Sequence, residues 1–464
     1  MSLIKSISGI RGTIGGKPGD GFSPLDVVKF TSAFGTWIQA KNPGKKCTIV
    51  IGRDARISGP MVEKLVLATL QGLGINITNI GLSTTPTVEM AVTNEKAEAG
   101  IILTASHNPK QWNALKLLNG KGEFISGKDG EEVLALAESE DFSYAEVDDL
   151  GAVTTKDYFA YHIQEVLNHP LVDVEKIKAA NFKIAVDAVN SSGGIIVPQL
   201  LEALGVKDVL KLYCEPNGHF PHNPEPLPEN LTEIASLIQK EGANLGIVVD
   251  PDVDRLALVN EDGSMFGEEY TLVAVADYVL KNRKGNTVSN LSSTRALRDV
   301  TEAAGGQYFP SAVGEVNVVE KMKEVNAVIG GEGNGGVIFP DLHYGRDSLI
   351  GIGLFLTHLA SCGMTAKELR ASYPNYFISK NKIELTPEID VDQVLVEMEK
   401  KYTSENVNTV DGVKIDFANE WVHLRKSNTE PIIRIYSESE SEEKADALAQ
   451  QIISDIKAII GVTA

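Results

Sequence analysis

The stretch that decides the fold is residues 245–255, LGIVVDPDVDR, in which an apolar run leads directly into three aspartates. The run predicts a buried strand, and LALV at residues 256–259 predicts a second one. Asp250, Asp252 and Asp254 alternate along the chain, and alternate residues of an extended strand face the same side. Three converging carboxylates repel one another unless a cation lies between them, and hard oxygen ligands suit Mg²⁺. The segment therefore predicts a magnesium site, with a solvated acidic turn as the alternative.

A strand followed by an unusual polar segment occurs twice more. Residues 100–103 lead into TASHNP at 104–109, and residues 327–329 lead into GGEGNGG at 330–336. Helical and strand-like patterns alternate around all three segments, which indicates repeated βαβ units and largely parallel sheets. Ligands of such sheets bind outside the carboxyl ends of the strands, so we expect the polar segments to serve one cleft. The last ~90 residues show clustered strands and two helices, which predicts a smaller α+β domain with an antiparallel sheet.

Composition narrows the class of protein. The chain has 464 residues, 43% of them hydrophobic, which suits roughly three domains and excludes a disordered or fibrous protein. Its net charge of −20 argues against nucleic-acid and anionic-membrane partners. The three cysteines lie far apart, which argues against disulfides and thiolate zinc sites. With no apolar run long enough for a membrane span and no secretory signal, we expect a cytoplasmic protein.

Two segments offer groups for chemistry on phosphate. In TASHNP, Ser106 is a hydroxyl nucleophile in a loop after a buried strand, although a plain turn explains the same residues. His107 is a further catalytic candidate, but neighbouring side chains of an extended loop point apart. Lys116 follows within reach of this loop, as a proton carrier, a phosphate partner or a solvated surface residue. Near the amino terminus, Arg11 is a stronger candidate for a phosphoryl group than the arginines of GRDAR at residues 52–56.

The remaining candidates suit substrate binding. The glycine-rich segment leaves Glu332 and Asn334 as its functional side chains, a suitable pair for sugar hydroxyls, although glycine clusters also form plain turns. Beyond it, His343 serves either substrate binding or the cap of a helix. Residues 425–434, RKSNTEPIIR, combine hydroxyls, turn amides and arginines into a phosphate cradle, with an exposed, charge-paired loop as the alternative.

TASHNP, DPDVDR, GEGNGG and RKSNTEP together resemble the motifs of the α-D-phosphohexomutase family, in the family's order and over essentially the whole chain. The resemblance implies a heart-shaped, four-domain protein around a central cleft. It places α/β domains at residues 1–152, 153–257 and 258–373 and the α+β domain at 374–464. The sugar loop departs from the GExSGH of many relatives, since Asn334 and Gly336 replace its serine and histidine. His343 is a hypothetical substitute for that histidine.

The resemblance also implies a role for each candidate. Ser106 would carry the phosphoryl group and complete the Mg²⁺ site of the three aspartates, with Lys116 and Arg11 transferring protons and stabilising charge. Arg255 would be a charge partner, and Glu332 and Asn334 would bind the sugar. The non-reacting phosphate would be held by the side chains of the fourth motif, namely Arg425, Ser427, Asn428, Thr429 and Arg434.

The implied activity interconverts hexose or hexosamine 6-phosphate and 1-phosphate through a phosphoserine, with a hexose 1,6-bisphosphate (or glucosamine 1,6-bisphosphate) as activator and intermediate. Glucosamine phosphate is the substrate that we expect, and mannose or glucose phosphate is the alternative. A phosphatase that uses Asp250 as nucleophile and a phosphosugar sensor without catalysis are more distant alternatives. A small phosphosugar is the expected partner, and the sequence leaves monomer and dimer open.

Overall fold

The computed structural model describes residues 2–6, 9–386, 389–426 and 432–461. Its strands are β1 (Leu3–Ser6), β2 (Gly9–Thr13), β3 (Thr48–Arg53), β4 (Asn76–Leu82), β5 (Ala99–Leu103), β6 (Trp112–Asn119), β7 (Val153–Thr155), β8 (Lys183–Asp187), β9 (Asp208–Leu212), β10 (Leu245–Val249), β11 (Leu256–Asn260), β12 (Asn286–Asn290), β13 (Tyr308–Ser311), β14 (Ala327–Glu332), β15 (Gly336–Ile338), β16 (Phe377–Glu384), β17 (Asn406–Asn408), β18 (Val413–Asp416), β19 (Trp421–Lys426) and β20 (Ile432–Ser439).

The α-helices are α1 (Pro24–Lys41), α2 (Gly59–Gly72), α3 (Thr85–Glu95), α4 (Gly127–Ser139), α5 (Phe159–Asn168), α6 (Val174–Ala180), α7 (Gly193–Ala203), α8 (Thr232–Glu241), α9 (Glu268–Asn282), α10 (Ala296–Ala303), α11 (Glu315–Glu324), α12 (Ser348–Cys362), α13 (Ala366–Ala371), α14 (Val391–Lys401) and α15 (Glu442–Ile459). The chain forms two compact units. The first comprises Met1–Asn282 and Asn334–Arg370, and the second comprises Arg283–Gly333 and Ala371–Ala464.

The first unit contains a seven-stranded sheet with the order β1-β2-β6-β5-β3-β4-β7. β5 is AGIIL, and each of its residues is buried, as expected for a central strand. It pairs parallel with β3 but antiparallel with β6. The connection at residues 104–111 is too short for a crossover, so the chain must return antiparallel. This reversal places Lys116 of β6 opposite Ile102 of β5 and opposite Gly9 of β2.

A second sheet of the same unit has the order β11-β10-β8-β9. β8, β9 and β10 run parallel, and β11 returns antiparallel to β10 with Val249 opposite Leu256. The six residues between this pair are 250–255, so the aspartates occupy a tight connection at the carboxyl end of a completely buried strand. The sheet therefore fixes where the aspartates emerge from the core.

In the second unit, β12 lies between β13 and β14 and pairs parallel with both. The carboxyl-terminal part is a five-stranded antiparallel sheet in the order β16-β20-β19-β18-β17. Apolar residues of α14 and α15 join this sheet in one core, which confirms the predicted α+β pattern. The α/β class is likewise confirmed, although the first two sheets mix parallel and antiparallel pairs. Within the described ranges, no helix is both long and apolar enough to cross a membrane.

Candidate active site

The aspartate loop, residues 250–255, gathers three buried carboxylates. Ligand atoms of Asp250, Asp252 and Asp254 lie within 4.8 Å of one another. The sequence predicted that these carboxylates converge because they alternate along an extended strand. That reason was wrong, because the loop is a tight turn. The N–H of Val253 donates to the carbonyl oxygen of Asp250 at 3.1 Å, and Val253 has a φ of +63°. The N–H groups of Asp254 and Arg255 both donate to Oδ1 of Asp250 at 3.2 Å, which folds the loop around that side chain.

The three carboxylates have different electrostatic surroundings. Burial, together with the charges of Asp254 and Asp252, raises the pKa of Asp250 well above its ordinary value. Burial also opposes the ionisation of Asp252, but the ammonium of Lys116 and hydrogen bonds from Lys116 and Thr85 outweigh it and lower that pKa. The hydroxyl of Thr85, at the first turn of α3, donates to Oδ2 of Asp252 at 2.5 Å.

The chemistry of this donor set fits Mg²⁺. Oδ1 of Asp252 and Oδ1 of Asp254 are buried, and within the described part of the chain neither accepts a hydrogen bond. Leaving a buried carboxylate oxygen without a partner is costly, whereas a bound divalent cation would satisfy both atoms. The second oxygen of Asp254 is occupied, because it accepts a hydrogen bond from Nη2 of Arg346 at 2.7 Å.

Ser106 lies directly beside the aspartates. Its Oγ donates to Oδ2 of Asp250 at 2.8 Å, and its side chain is buried. Ser106 has a φ of +49°, in the left-handed region that serine seldom adopts. Its N–H donates to Oγ1 of Thr104 at 2.9 Å, and its carbonyl oxygen accepts from the guanidinium of Arg56. The strained conformation is thus held from both sides of the residue.

Lys116 is a second cation that contacts the aspartates, besides Arg346. Its Nζ lies 2.7 Å from Oδ2 of Asp252 and 3.5 Å from Oδ2 of Asp254. Burial alone would lower the pKa of Lys116, but these carboxylates outweigh it and hold that pKa above its usual range, so the ammonium is charged. Arg11 is exposed on β2, which pairs with the strand that carries Lys116.

Two other predicted residues border this cluster. Burial, and then the positive charge of Arg255, lowers the pKa of His107 to about 3, so the ring is neutral at pH 7. Its Nδ1 is buried and has no hydrogen-bond partner among residues 2–6, 9–386, 389–426 and 432–461. Nη1 of Arg255 lies 3.3 Å from Oε1 of Glu225, while its Nε is buried without a described partner. Each of these two side chains thus has a buried nitrogen without a described hydrogen-bond partner.

The structure places His343 in a buried ionic network. Its Nδ1 lies 3.3 Å from Oε2 of Glu89 and its Nε2 lies 3.2 Å from Oδ2 of Asp347. Oδ2 of Asp347 also contacts Nε2 of His162 at 2.9 Å, and Oδ1 accepts the N–H of Leu349 at the start of α12. Asp347, not His343, therefore caps this helix, and both ring nitrogens of His343 face carboxylates.

The sugar-loop candidates fall in different units. Glu332, at the end of β14 in the second unit, accepts hydrogen bonds at Oε1 from Nδ2 of Asn290 at 2.9 Å and from the N–H of Gly314 at 3.2 Å. These contacts fix the carboxylate of Glu332 in a buried position. Asn334 belongs to the first unit, where its Oδ1 accepts the N–H of Gly336 at 3.2 Å.

The two arginines of the fourth motif face each other across neighbouring strands. Arg425 of β19 and Arg434 of β20 are directly opposed in the antiparallel register. Arg425 is offset by Asp411, whose Oδ2 lies 2.8 Å from its Nε, whereas Arg434 is exposed. Like charges in opposed positions destabilise a sheet, which favours a bound anion beside the two guanidinium groups. Ser427, Asn428 and Thr429 lie outside the described residues.

Comparison with known proteins identifies the family. Residues 3–144, 158–263 and 267–376 match, in order, the models of phosphoglucomutase/phosphomannomutase alpha/beta/alpha domains I, II and III, and residues 382–454 match the C-terminal domain. The chain belongs to the phosphoglucomutase/phosphomannomutase family. This membership confirms the resemblance and makes the chain a phosphohexomutase, an isomerase-type enzyme. It decides against the two distant alternatives, the phosphatase and the phosphosugar sensor without catalysis.

Relatives of this phosphohexomutase carry different sugar names. The chain is 36% identical to a phosphoglucomutase/phosphomannomutase of Thermococcus kodakarensis over 96% of both chains. It is 30% identical to a probable phosphoglucosamine mutase of Methanopyrus kandleri over 98% of both. A crystal structure of a phosphoglucomutase/phosphomannomutase family protein from Burkholderia thailandensis covers 98% of both chains with a TM-score of 0.85 and 25% identity. The activity class is therefore shared, while the sugar differs among these names.

Sequence reasoning missed three residues that hold the site of this phosphohexomutase. Arg56 was ranked below Arg11 as a candidate for a phosphoryl group, and neither Arg346 nor Thr85 was predicted to contact the aspartates. A signal existed in the sequence, because Arg346 belongs to the Gly-Arg-Asp at residues 345–347 and Arg56 lies two residues after the Gly-Arg-Asp at residues 52–54. No sequence pattern indicates that Thr85 meets Asp252, because the contact joins positions 167 residues apart.

Proposed function

We propose that this phosphohexomutase transfers its phosphoryl group through Ser106 and converts glucosamine 6-phosphate into glucosamine 1-phosphate. The contact of Ser106 Oγ with Asp250 Oδ2 at 2.8 Å carries the proposal, because it joins the nucleophile to the cation site. Phosphoryl transfer needs in-line positioning and neutralised oxygens more than a strong base. The buried Ser106, the charged Lys116 and the aspartates supply these requirements.

The proposed reaction begins with phosphorylated Ser106. The free hydroxyl of the sugar phosphate attacks the phosphorus, the bond from phosphorus to Ser106 Oγ breaks, and a sugar 1,6-bisphosphate forms. After the bisphosphate turns over, Ser106 Oγ attacks its other phosphate, and the sugar leaves as the isomeric monophosphate. A hexose or glucosamine 1,6-bisphosphate added from solution would phosphorylate Ser106 in the same way and so act as activator.

Asp250, Asp252 and Asp254 would hold Mg²⁺, which when bound supplies positive charge to the phosphoryl oxygens. Lys116 is charged and hydrogen-bonded to Asp252, so it keeps the carboxylate ionised and places a proton donor near Ser106. Preorganised charges of this kind are worth most in a buried site, where water does not screen them. We assign Arg11, Arg255 and His107 to the phosphoryl group that Ser106 transfers.

Arg425 and Arg434, with residues 427–429 between them in sequence, are proposed to bind the phosphate that does not react. Their opposed positions provide two guanidinium groups on one face of the sheet, and an arginine fork suits two phosphate oxygens. Glu332 and Asn334 are proposed to bind sugar hydroxyls. Glu332 is held by Asn290 and Gly314, which orients its carboxylate before substrate arrives.

Glucosamine phosphate is proposed as the sugar because the SGIRG start at residues 8–12 and the GEGNGG loop resemble those of phosphoglucosamine mutases. A second candidate is combined phosphomannomutase and phosphoglucomutase activity, which is favoured by the 36% identity to the Thermococcus kodakarensis relative of that name. The three sugars differ at C2, so the same phosphate contacts would serve all of them.

The test measures kcat/KM for the 1-phosphates of glucosamine, mannose and glucose, with prephosphorylated enzyme, Mg²⁺ and a sugar bisphosphate. We expect glucosamine phosphate to lead by about a hundredfold, which corresponds to roughly 2.7 kcal/mol of discrimination in the transition state. Equal or better turnover of mannose or glucose phosphate would move the assignment to the second candidate.

The nucleophile is tested separately with Ser106→Ala. Its kcat should fall by about 10⁴-fold or more, because the proposed mechanism routes the phosphoryl group through this hydroxyl. Ser236→Ala is the matched control, since its hydroxyl is exposed on α8 and bonds only to a helix carbonyl among the described contacts. A Ser106→Ala enzyme with full turnover would overturn the phosphoserine mechanism, whatever the sugar.

A further inference from the structure

A long irregular segment of the first unit is not used by the mechanism above. Residues 214–227, CEPNGHFPHNPEPL, connect β9 to the turn before α8, and four of these fourteen residues are proline. We call this segment the proline-rich loop. Irregular connections of this length are uncommon in compact domains and often serve a function. Proline fixes φ and so restricts the conformations of such a loop.

One part of the proline-rich loop packs against the turn that carries Arg56. The guanidinium carbon of Arg56 lies 5.1 Å from the centroid of the Phe220 ring, within the range of a cation–π contact. Gly218 has a φ of +72°, and a Cβ placed there would lie 2.1 Å from the carbonyl oxygen of Ala55. Only glycine therefore allows the two backbones to approach this closely.

Arg56 transmits this contact to the Ser106 loop, residues 104–112. Its guanidinium is completely buried and donates to the carbonyl oxygens of Ser106, Asn108, Pro109 and Trp112. Its Nε donates to Oδ2 of Asp54 at 3.0 Å. Displacing this one side chain would release several carbonyls of the loop that keeps Ser106 at a positive φ.

The other end of the proline-rich loop reaches the aspartate loop. Oε1 of Glu225 lies 3.3 Å from Nη1 of Arg255, whose N–H donates to Oδ1 of Asp250. Between the two ends, Nε2 of His222 contacts Oδ2 of Asp187 at 3.0 Å, at the carboxyl end of β8. The segment therefore contacts both loops whose side chains meet at Ser106 Oγ and Asp250, and it is anchored to the sheet between them.

We propose that the proline-rich loop is a clamp that aligns Ser106 with the aspartate loop, and that Phe220 is a positioning residue acting through Arg56. This inference rests on the proposed function, because alignment matters only if Ser106 carries the phosphoryl group. Misplacing a reacting atom by about 1 Å can cost about a hundredfold in rate, so a contact outside the reacting groups can limit kcat. The described contact of Phe220 is with Arg56, which is not a proposed substrate-binding residue, so Phe220 variants should leave KM and sugar preference unchanged.

A packing role and a positioning role predict different rankings of Phe220 variants. If the ring only fills space, Phe220→Leu should behave like the native enzyme. If the ring face holds the guanidinium, Phe220→Tyr and Phe220→Trp should retain kcat, while Phe220→Leu and Phe220→Ala should lose it. We expect kcat to fall about tenfold for Phe220→Leu and somewhat more for Phe220→Ala, with KM within about twofold of native.

The experiment measures kcat and KM of the full-length enzyme with Mg²⁺ and the sugar 1-phosphate that the native enzyme turns over best. Single-turnover transfer from enzyme labelled at Ser106 with ³²P is measured in the same variants, and circular dichroism checks that each is folded. Phe142→Ala is the matched control, because Phe142 is also half-buried in the first unit and, among the described contacts, touches neither Arg56 nor the proline-rich loop. Its transfer rate should equal that of the native enzyme.

The clamp is overturned if Phe220→Leu transfers phosphate at the native rate, if KM rises as much as kcat falls, or if Phe142→Ala loses transfer equally. Failure of the proposed function gives a different result. In that case the native enzyme itself shows no transfer from labelled Ser106, before any Phe220 variant is compared. If the native enzyme transfers phosphate from Ser106 and Phe220→Leu transfers it at the same rate, the clamp is refuted and the proposed function is not.

Discussion

The Ser106–aspartate cluster in the first unit and the arginine pair in the second unit handle charge in opposite ways. Asp250, Asp252 and Asp254 are fully buried, and named partners such as Lys116 fix several of their oxygens. Arg434, by contrast, is exposed on β20, opposite the partly exposed Arg425. One region has its geometry set before any ligand binds, while the other keeps its cations accessible.

The difference follows from what each region is proposed to do. Charges that stabilise a transition state act most strongly when they are desolvated and fixed, so the reacting region is buried and strained. A group that holds a spectator phosphate must bind and release a whole substrate in each cycle, and exposed arginines permit this at modest affinity. Variants of the first region should therefore change kcat or stability, and variants of the second should change KM.

Among the variants that compare these two regions, the largest effect is expected for Asp252→Asn. Neutralising this carboxylate removes a proposed Mg²⁺ ligand and one partner of Lys116, so kcat should fall about 10³-fold and half-activation should need more Mg²⁺. Steady-state rates across a Mg²⁺ titration measure both quantities. Asp262→Asn is the control, since Asp262 also pairs with a lysine, Lys367, at 2.6 Å but on the surface. If Asp252→Asn and Asp262→Asn need the same Mg²⁺ concentration for half-activation, Asp252 is not a ligand of the metal.

The next effect concerns stability, through His343→Gln. Burial alone would lower the pKa of His343, but hydrogen bonds with Asp347 and Glu89 outweigh it and raise the pKa to about 10. A raised pKa favours the charged form in the fold, so this stabilisation is complete below pH 6.5, the ordinary value, and is lost as pH rises through about 10. Removing one member of a buried ionic network should cost about 3 kcal/mol of unfolding free energy at pH 6.

Urea unfolding of native and His343→Gln enzyme at pH 6 and pH 10 tests this. The difference in unfolding free energy should be large at pH 6 and clearly smaller at pH 10. His219→Gln is the control, because His219 is exposed in the same unit. A difference that stays constant between the two pH values would show that His343 is not charged in the fold.

The second region is tested with Arg434→Ala, whose effect should be smaller and of another kind. Losing a charge-assisted hydrogen bond to phosphate should raise KM about thirtyfold, with kcat nearly unchanged. Steady-state kinetics at low and high salt measure this, and the native KM should itself rise with salt. Arg298→Ala is the control, since Arg298 is a partly exposed arginine of the same unit. A loss confined to kcat would place Arg434 with the reacting groups instead.

The smallest effect tests the strain in the aspartate loop. Val253 is fully buried with a φ of +63°, which is costly for a β-branched residue. Val253→Gly should therefore be at least as stable as Val253→Ala, because glycine relieves the strain. At Val249, buried in β10, glycine should be about 1 kcal/mol less stable than alanine. Thermal melts of the four variants measure these stabilities. If the glycine variant is less stable than the alanine variant at Val253 as well as at Val249, the aspartate loop stores no strain.

Much of the fold was predictable because its signals are local. The run before Asp250 and the run before Thr104 both form completely buried strands, β10 and β5. The convergence of the aspartates was predicted from the wrong geometry, since periodicity cannot reveal a residue at positive φ such as Val253. His343 was predicted to bind substrate or cap a helix, but its burial between Glu89 and Asp347 depends on two segments that are distant in sequence, since Glu89 belongs to α3.

The sequence by itself determined which side chains follow which strands, and thereby the α/β class and the candidates Ser106, Asp250, Asp252 and Asp254. Only the tertiary structure decided their partners. Lys116 meets Asp252 across 136 residues, and Arg346 meets Asp254 across 92. The reason is physical, because propensity and periodicity act over a few residues, whereas hydrogen-bond partners and burial depend on which elements pack together. The same packing brings Phe220 to Arg56, a contact that neither local sequence indicates.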